Sequence, residues 1–179
     1  GSADVVLNAS STDSSGTISY SIDVSGTTSV GSSIVDGNKV RLGSVGSVKV
    51  VATIAADGNY TGTSAPIDFT ITKRDLTVTV TPSSLDKDYD GTTTANLVGV
   101  LSGVADKDAD DASKLSIGTS SHTYASANVG EDIAITAGFV VEGTSLSNYN
   151  FTQPTGLTGD IRAIAPNFTF ASVSNQVYG

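Results

Sequence analysis

The chain has 179 residues, of which 38% are hydrophobic and 15% charged, so it has enough apolar content for a packed core in one or two domains. Its 9 basic against 18 acidic residues give a net charge of −9, which argues against partners such as nucleic acid or an anionic membrane surface. The absence of cysteine, with a single histidine at His122, excludes disulfides, thiolate metal sites and multi-histidine zinc catalysis.

Apolar and polar residues alternate along six segments, which is the period-two pattern of half-buried strands. In chain order these segments are 16–24, 47–55, 67–72, 76–81, 132–141 and 168–173. Turns are predicted at Asp36-Gly37-Asn38, Asp57-Gly58-Asn59 and Asp90-Gly91. One helical turn, capped by an early aspartate, is predicted over 108–115. The abundance of Val, Ile and Thr favours strands, so the sequence predicts an all-β fold.

Two tyrosine motifs recur at one common spacing. Tyr60 in GNYTG is followed 89 residues later by Tyr149 in SNYNF, and Tyr89 in KDYDG is followed 89 residues later by Tyr178 in QVYG. A period of this size is typical of one small β-domain, so we predict tandem domains. A tyrosine beside a turn can bury its ring while its hydroxyl bonds the backbone, and we predict this corner role for all four; the alternative role is stacking on a ligand.

Domain boundaries are predicted at about 73/74, after a short charged segment, and at about 164/165. The predicted domains are therefore 1–73 and 74–164, and residues 165–179 are predicted to be the opening strand of a further repeat. A short linker favours a semi-rigid, extended arrangement. Gly1-Ser2 is typical of residues left by cloning, so we expect a piece of a longer protein, and no apolar segment approaches the ~20 residues that span a bilayer.

Three ordered motifs, at 87–97 (KDYDGTTTANL), 124–136 (YASANVGEDIAIT) and 147–164 (SNYNF to DIRAI), make residues 85–164 resemble the YDG repeat of large bacterial surface and adhesin-like proteins. Residues 3–73 resemble a bacterial Ig-like or MBG-type module, on segments 16–22, 43–60 and 67–73. QVYG at the end resembles the start of another module. The resemblance implies two tandem Ig-like antiparallel β-sandwich domains in an extended arrangement, at the extracellular surface of a bacterial cell, without enzymatic activity.

The expected function is that of a stalk or spacer whose partners are neighbouring repeat domains. The alternative is a module that recognises a glycan or a host protein through loops 105–115 or 142–148, since variable loops on a rigid scaffold are where binding is usually located. Neither function requires insertion of this segment into a membrane.

Carboxylates cluster at two places. Asp86, Asp88 and Asp90 precede Gly91 as in a calcium loop, but Leu97 stands where the twelfth-position glutamate is required, so we predict a turn. The loop 105–115 has more carboxylates than that stretch. A Ca²⁺ ion there would be bound by Asp106, Asp108 and either Asp110 or Asp111. The favoured interpretation is a solvated acidic loop without a bound ion. We therefore predict no metal or cofactor site.

Catalytic chemistry is poorly supported by the sequence. His122 lies in a polar run without a G-x-S-x-G motif, so we predict an exposed loop or edge-strand histidine and no catalytic residues. Lys49 and Lys73 lie on predicted strands, which raises a Lys–Asn isopeptide crosslink as a minor alternative. Salt-bridged or exposed lysine is the favoured interpretation.

Overall fold

A computed structural model describes residues 4–170 and residue 178, and it confirms the all-β prediction. The strands, in chain order, are β1 Val5–Val6, β2 Ile18–Ile22, β3 Ser33–Val35, β4 Lys39–Arg41, β5 Gly46–Ile54, β6 Thr63–Ile71, β7 Arg74–Val80, β8 Lys87–Asp88, β9 Thr94–Ala95, β10 Gly99–Ser102, β11 Ser116–Ile117, β12 His122–Tyr124, β13 Gly130–Thr136, β14 Val141–Glu142, β15 Tyr149–Thr152 and β16 Leu157–Arg162. The one α-helix of the described residues, α1, is the single turn Asp106–Ala109, and 3₁₀ turns span Pro82–Ser84 and Leu146–Asn148. No described helix has the length and apolarity to cross a membrane.

The described residues form two compact units, each assembled from several segments of the chain. Of the described residues, unit 1 contains 4–79, 100–120 and 139–153, and unit 2 contains 80–99, 121–138, 154–170 and 178. The predicted domain ranges, 1–73 and 74–164, stay a prediction.

The first part of unit 1 contains two three-stranded sheets, in the orders β1-β4-β3 and β2-β5-β6. The long strand β5 pairs antiparallel with β2 and with β6. Its alternating pattern buries Val48 and Val50 and leaves Lys49 partly exposed, as a pleated strand requires. Leu7 and Val40 complete this buried cluster. The predicted turn between β3 and β4 is confirmed, since Asp36 and Gly37 both have positive φ, at 51° and 75°.

The second part of unit 1 contains the sheet β10-β7-β15 and the pair β11-β14. Strand β7 is central and runs parallel to β15, with Leu76 opposite Phe151. The buried side chains form one cluster, consisting of Leu76, Ala105, Leu115, Val141 and Tyr149. Helix α1 follows Ala105 directly, so this core fixes the start of the acidic loop.

Unit 2 contains one five-stranded sheet in the order β8-β16-β13-β12-β9. Strand β8 pairs parallel with β16, and the other pairings are antiparallel. Tyr124, Ile135 and Ile161 are buried on it. Lys87 on the edge strand β8 donates from Nζ to the carbonyl of Thr94 on the opposite edge strand β9, at 3.0 Å. The sheet is therefore a nearly closed barrel.

Four of the predicted strands, 16–24, 47–55, 67–72 and 76–81, correspond to β2, β5, β6 and β7. The predicted strand 132–141 is interrupted between β13 and β14. There the Gln153 side chain bonds both backbone groups of Phe139, at 3.0 Å and 2.6 Å, in place of a neighbouring strand.

The predicted helical turn begins two residues early, at Asp106, and no side chain caps it. Residues 168–170 form no strand, so this part of the predicted strand 168–173 is wrong. Residues 165–167 form no strand either, and residues 171–177 and 179 of the predicted opening strand lie outside the described residues.

Candidate functional site

The two loops named above as candidate binding loops come together in unit 1, around a buried carboxylate. Asp108 in α1 is only 4% exposed. Its Oδ2 accepts a hydrogen bond from Tyr149 Oη at 2.7 Å, and its Oδ1 accepts one from Ser145 Oγ at 3.1 Å. The backbone N–H of Ala105 donates to the same tyrosine hydroxyl at 3.0 Å. Burial, and then the hydrogen bond to Asp108, raise the pKa of Tyr149.

The same loops also bond the N-terminal part of unit 1. Lys107 Nζ donates to the carbonyl of Gly43 at 2.8 Å and of Leu42 at 3.5 Å. Asn148 Oδ1 accepts a hydrogen bond from the backbone N–H of Val45 at 2.9 Å. We call this set, residues 42–45 with Lys107 and Asn148, the joint. The cavity within it, about 110 Å³, falls below the ~300 Å³ at which ligand pockets usually begin.

Asp106 is exposed at the start of α1, and in the part of the chain that the structure describes the Asp110 and Asp111 side chains share no hydrogen-bond partner with Asp108. Asp111 Oδ1 accepts hydrogen bonds from Ser113 Oγ at 2.6 Å and Ser113 N at 3.0 Å, which lower its pKa. Asp110 is exposed. Among the described residues, no three acidic or histidine side chains are grouped so as to hold a metal ion.

A second polar cluster, in unit 2, surrounds Lys87, whose side chain is only 13% exposed. Its Nζ donates to Asp90 Oδ1 at 2.7 Å and to the carbonyls of Thr92 and Thr94 at 2.8 Å and 3.0 Å. It also lies 5.3 Å from the ring centre of Tyr124, within cation–π range. The Lys87 hydrogen bond, followed by those from Thr92, lowers the pKa of Asp90 to about 2.

The three aspartates of the calcium-like stretch have different surroundings. Asp86 accepts a hydrogen bond from Asp160 N at 3.0 Å and one from Arg162 Nη2 at 2.6 Å. Asp90 bonds Lys87, and Asp88 is exposed. The predicted turn is confirmed, because Gly91 has a φ of 74° that favours glycine.

The prediction of an exposed His122 is wrong. The side chain is 6% exposed, on β12, which lies between β13 and β9. Its Nδ1 accepts a hydrogen bond from the backbone N–H of Gly138 at 3.1 Å, and burial lowers its pKa. The period-two alternation of His122 and Tyr124, which buries both, is a signal that could have found this.

The corner role predicted for four tyrosines holds for Tyr149 alone. Tyr60 is 50% exposed, Tyr89 is 40% exposed and Tyr178 is fully exposed, so the prediction is wrong for these three. The residues that it missed are Tyr20, whose hydroxyl accepts from Ala9 N at 2.7 Å, and Tyr124, whose hydroxyl donates to the Leu85 carbonyl at 2.6 Å.

The lysines named for a crosslink are not buried. Lys49 Nζ lies 3.5 Å from Asp23, with its side chain one-third exposed, and Lys73 is exposed. The favoured interpretation, salt-bridged or exposed lysine, is confirmed for both. Lys87, which the sequence did not single out, is the well-shielded lysine.

Comparison with known proteins found a match for the part of the chain that contains the clusters around Asp108 and Lys87. The family model of the YDG domain matches residues 72–156. Residues 72–156 contain a YDG domain. The match begins at residue 72 rather than 85 and ends at 156 rather than 164. No curated protein and no solved structure matches the chain. The Ig-like or MBG-type module expected before the YDG domain stays a prediction.

Residues 72–156 include the strands from β7 to β15, and with them Tyr149 and Asp108. The tripeptide Tyr89-Asp90-Gly91 supplies the carboxylate that bonds Lys87 and the glycine with positive φ that reverses the chain. These residues therefore have a local structural role in the YDG domain.

Proposed function

We propose that the chain is a non-enzymatic segment of a large extracellular, adhesin-like protein of a bacterial surface, and that it acts as a semi-rigid stalk or spacer. In this proposal two tandem Ig-like antiparallel β-sandwich domains stand in an extended arrangement, with neighbouring repeat domains of the same chain as their partners. The main support for this proposal is the hydrogen bonding at the joint.

The joint restricts motion at the boundary of the YDG domain. Lys107 and Asn148, inside the domain, bond the backbone of residues 42–45, before it. Only two residues, Thr72 and Lys73, separate β6 from β7, so the covalent connection adds little freedom. Hydrogen bonds contribute about 0.5–1.5 kcal/mol each, and those of Lys107 and Asn148 together disfavour an open joint.

The same contacts make the alternative, ligand binding through loops 105–115 and 142–148, less favourable. Lys107 and Asn148 are engaged with the backbone of residues 42–45, and Asp108 is buried under Tyr149. A ligand that used these groups would have to break intramolecular hydrogen bonds first. The acidic surface, with a net charge of −9, supports a soluble spacer that adheres weakly to its surroundings.

Double electron–electron resonance tests the rigidity directly, because the chain has no cysteine to interfere with labelling. Spin labels at Ser21→Cys on β2 and Asn150→Cys on β15 place one probe on each side of the joint, at exposed strand positions. We expect one narrow distance distribution. Combining Lys107→Ala with Asn148→Ala should broaden it, whereas Lys39→Ala, which removes an exposed ion pair with Asp36, should not. A broad distribution in the unsubstituted joint would contradict the stalk proposal.

A further inference from the structure

A cleft of about 460 Å³ opens in unit 1 between residues 12–15, which precede β2, and the turn 57–60, which joins β5 to β6. Its volume lies within the ~300–1,000 Å³ of small-molecule sites. We call it the 12–15/57–60 cleft. It shares no residue with the joint, and it involves neither of the loops considered above for binding.

The walls of this cleft are held in place by Asp57. Its Oδ2 accepts hydrogen bonds from Ser14 Oγ at 2.8 Å, from Ser15 Oγ at 2.9 Å and from Ser15 N at 2.5 Å. The turn itself is closed by two backbone hydrogen bonds between Asp57 and Tyr60, at 2.7 Å and 3.1 Å. A cleft whose walls are already ordered loses little conformational freedom when a ligand binds.

The side chain of Tyr60 lines this cleft, and only the Tyr60 backbone contributes to the turn. Its ring is half exposed, whereas Tyr149 and Tyr124 are buried and bond the backbone through their hydroxyls. Within the described part of the chain, neither the Tyr60 hydroxyl nor the Asn59 amide makes a hydrogen bond with another residue. The cleft thus presents a half-exposed aromatic side chain beside donors and acceptors that make no other hydrogen bond among the described residues.

We propose that the 12–15/57–60 cleft binds a neutral sugar unit of a glycan. The face of Tyr60 offers an apolar platform for the C–H face of a pyranose ring, and the Asn59 amide with the Asp13 carboxylate can bond its hydroxyls. The two carboxylates, Asp13 and Asp57, would repel an anionic sugar. This function goes beyond spacing, since it adds a recognition site to the stalk.

The test is an NMR titration of the complete ¹⁵N-labelled chain with galactose, mannose, N-acetylglucosamine or sialic acid, each to about 20 mM, which detects binding as weak as a Kd of about 1 mM, or about −4 kcal/mol. We expect saturable shift changes at residues 12–15 and 57–60 with at least one neutral sugar. Tyr60→Ala should weaken that binding roughly fivefold or more. The matched control is Tyr89→Ala, which removes a tyrosine of similar exposure in unit 2.

Three results would overturn the proposal: no shift changes at these residues with any neutral sugar, unchanged affinity in Tyr60→Ala, or sialic acid binding as tightly as the neutral sugars. The dispersion of each variant's spectrum verifies its fold, so loss of binding can be assigned to the ring. Spin-label distances across the joint do not depend on these outcomes, so a failed sugar site and a failed stalk are distinguishable.

Discussion

His122 is an imidazole buried in a β-sheet, and its protonation is coupled to folding. Burial lowers its pKa, and its Nδ1 must be unprotonated to accept the hydrogen bond from Gly138 N. In the unfolded chain the imidazole binds a proton at a pKa of about 6.5. The unfolded state therefore binds more protons than the folded state below that pH, and stability falls as the pH falls from 7 towards the lower folded pKa.

We expect the free energy of unfolding, from urea titrations, to decrease between pH 7 and pH 5. His122→Asn keeps an acceptor for Gly138 N but cannot titrate, so its decrease should be clearly smaller. The aspartates whose pKa is lowered, including Asp90 and Asp57, lose their contribution only as the pH falls below their ordinary value of 3.8, outside this window. Equal slopes for the two proteins would show that His122 is not the titrating group.

The tyrosines show that a repeated sequence motif does not determine the burial of its side chain. Tyr60 and Tyr149 occupy equivalent motifs 89 residues apart, yet one is half exposed and the other buried. The difference lies in the hydrogen-bond partners that surround each side chain. Ala105 N and Asp108 surround the Tyr149 hydroxyl, and they come from a loop more than 40 residues away. A repeated motif therefore predicted a shared position along the chain but not a shared environment.

At the scale of elements, local periodicity predicted β2, β5, β6, β7 and part of β13, and it missed the very short strands and the six-residue strand β16. Strands such as β8 and β9 have two residues, too few to display alternation. They exist because distant segments pair with them, as β16 does with β8. The parallel pair of β7 and β15 likewise joins segments about 75 residues apart, which no local pattern indicates.

Lys87 is the residue that links the two edge strands of the unit 2 barrel. Replacing it by methionine keeps most of the aliphatic side chain but leaves the Thr92 and Thr94 carbonyls without its charged donor. We expect Lys87→Met to lower the free energy of unfolding by about 2 kcal/mol, the typical contribution of a charge-assisted hydrogen bond in a shielded place.

Urea denaturation followed by far-ultraviolet circular dichroism measures this loss. The matched control is Lys39→Met, since Lys39 makes a single exposed ion pair with Asp36, and such pairs contribute about 0–1 kcal/mol. If the two methionine variants are equally stable, Lys87 does not join the edges of the barrel.

For the whole molecule, the net charge of −9 determines how stability responds to dissolved salt. Excess negative charge opposes compaction, and dissolved salt screens it, so stability should rise slightly with ionic strength for any cation. A calcium site would act differently, because an ion that binds only the folded state stabilises it in proportion to the logarithm of its concentration. The described carboxylates favour the first behaviour, since Asp86, Asp90, Asp108 and Asp111 each bond a different partner.

Thermal melts at equal ionic strength separate these two effects. We expect the midpoint temperature of unfolding to be the same in CaCl₂, MgCl₂ and NaCl, and to stay the same when a chelator is added to the CaCl₂ sample. The reason is that screening depends on ionic strength and not on ligand geometry. A rise of several degrees in CaCl₂ alone, reversed by the chelator, would instead place a calcium ion in this segment. Asp110→Asn, which removes an exposed carboxylate of the acidic loop, would then establish whether loop 105–115 holds that ion.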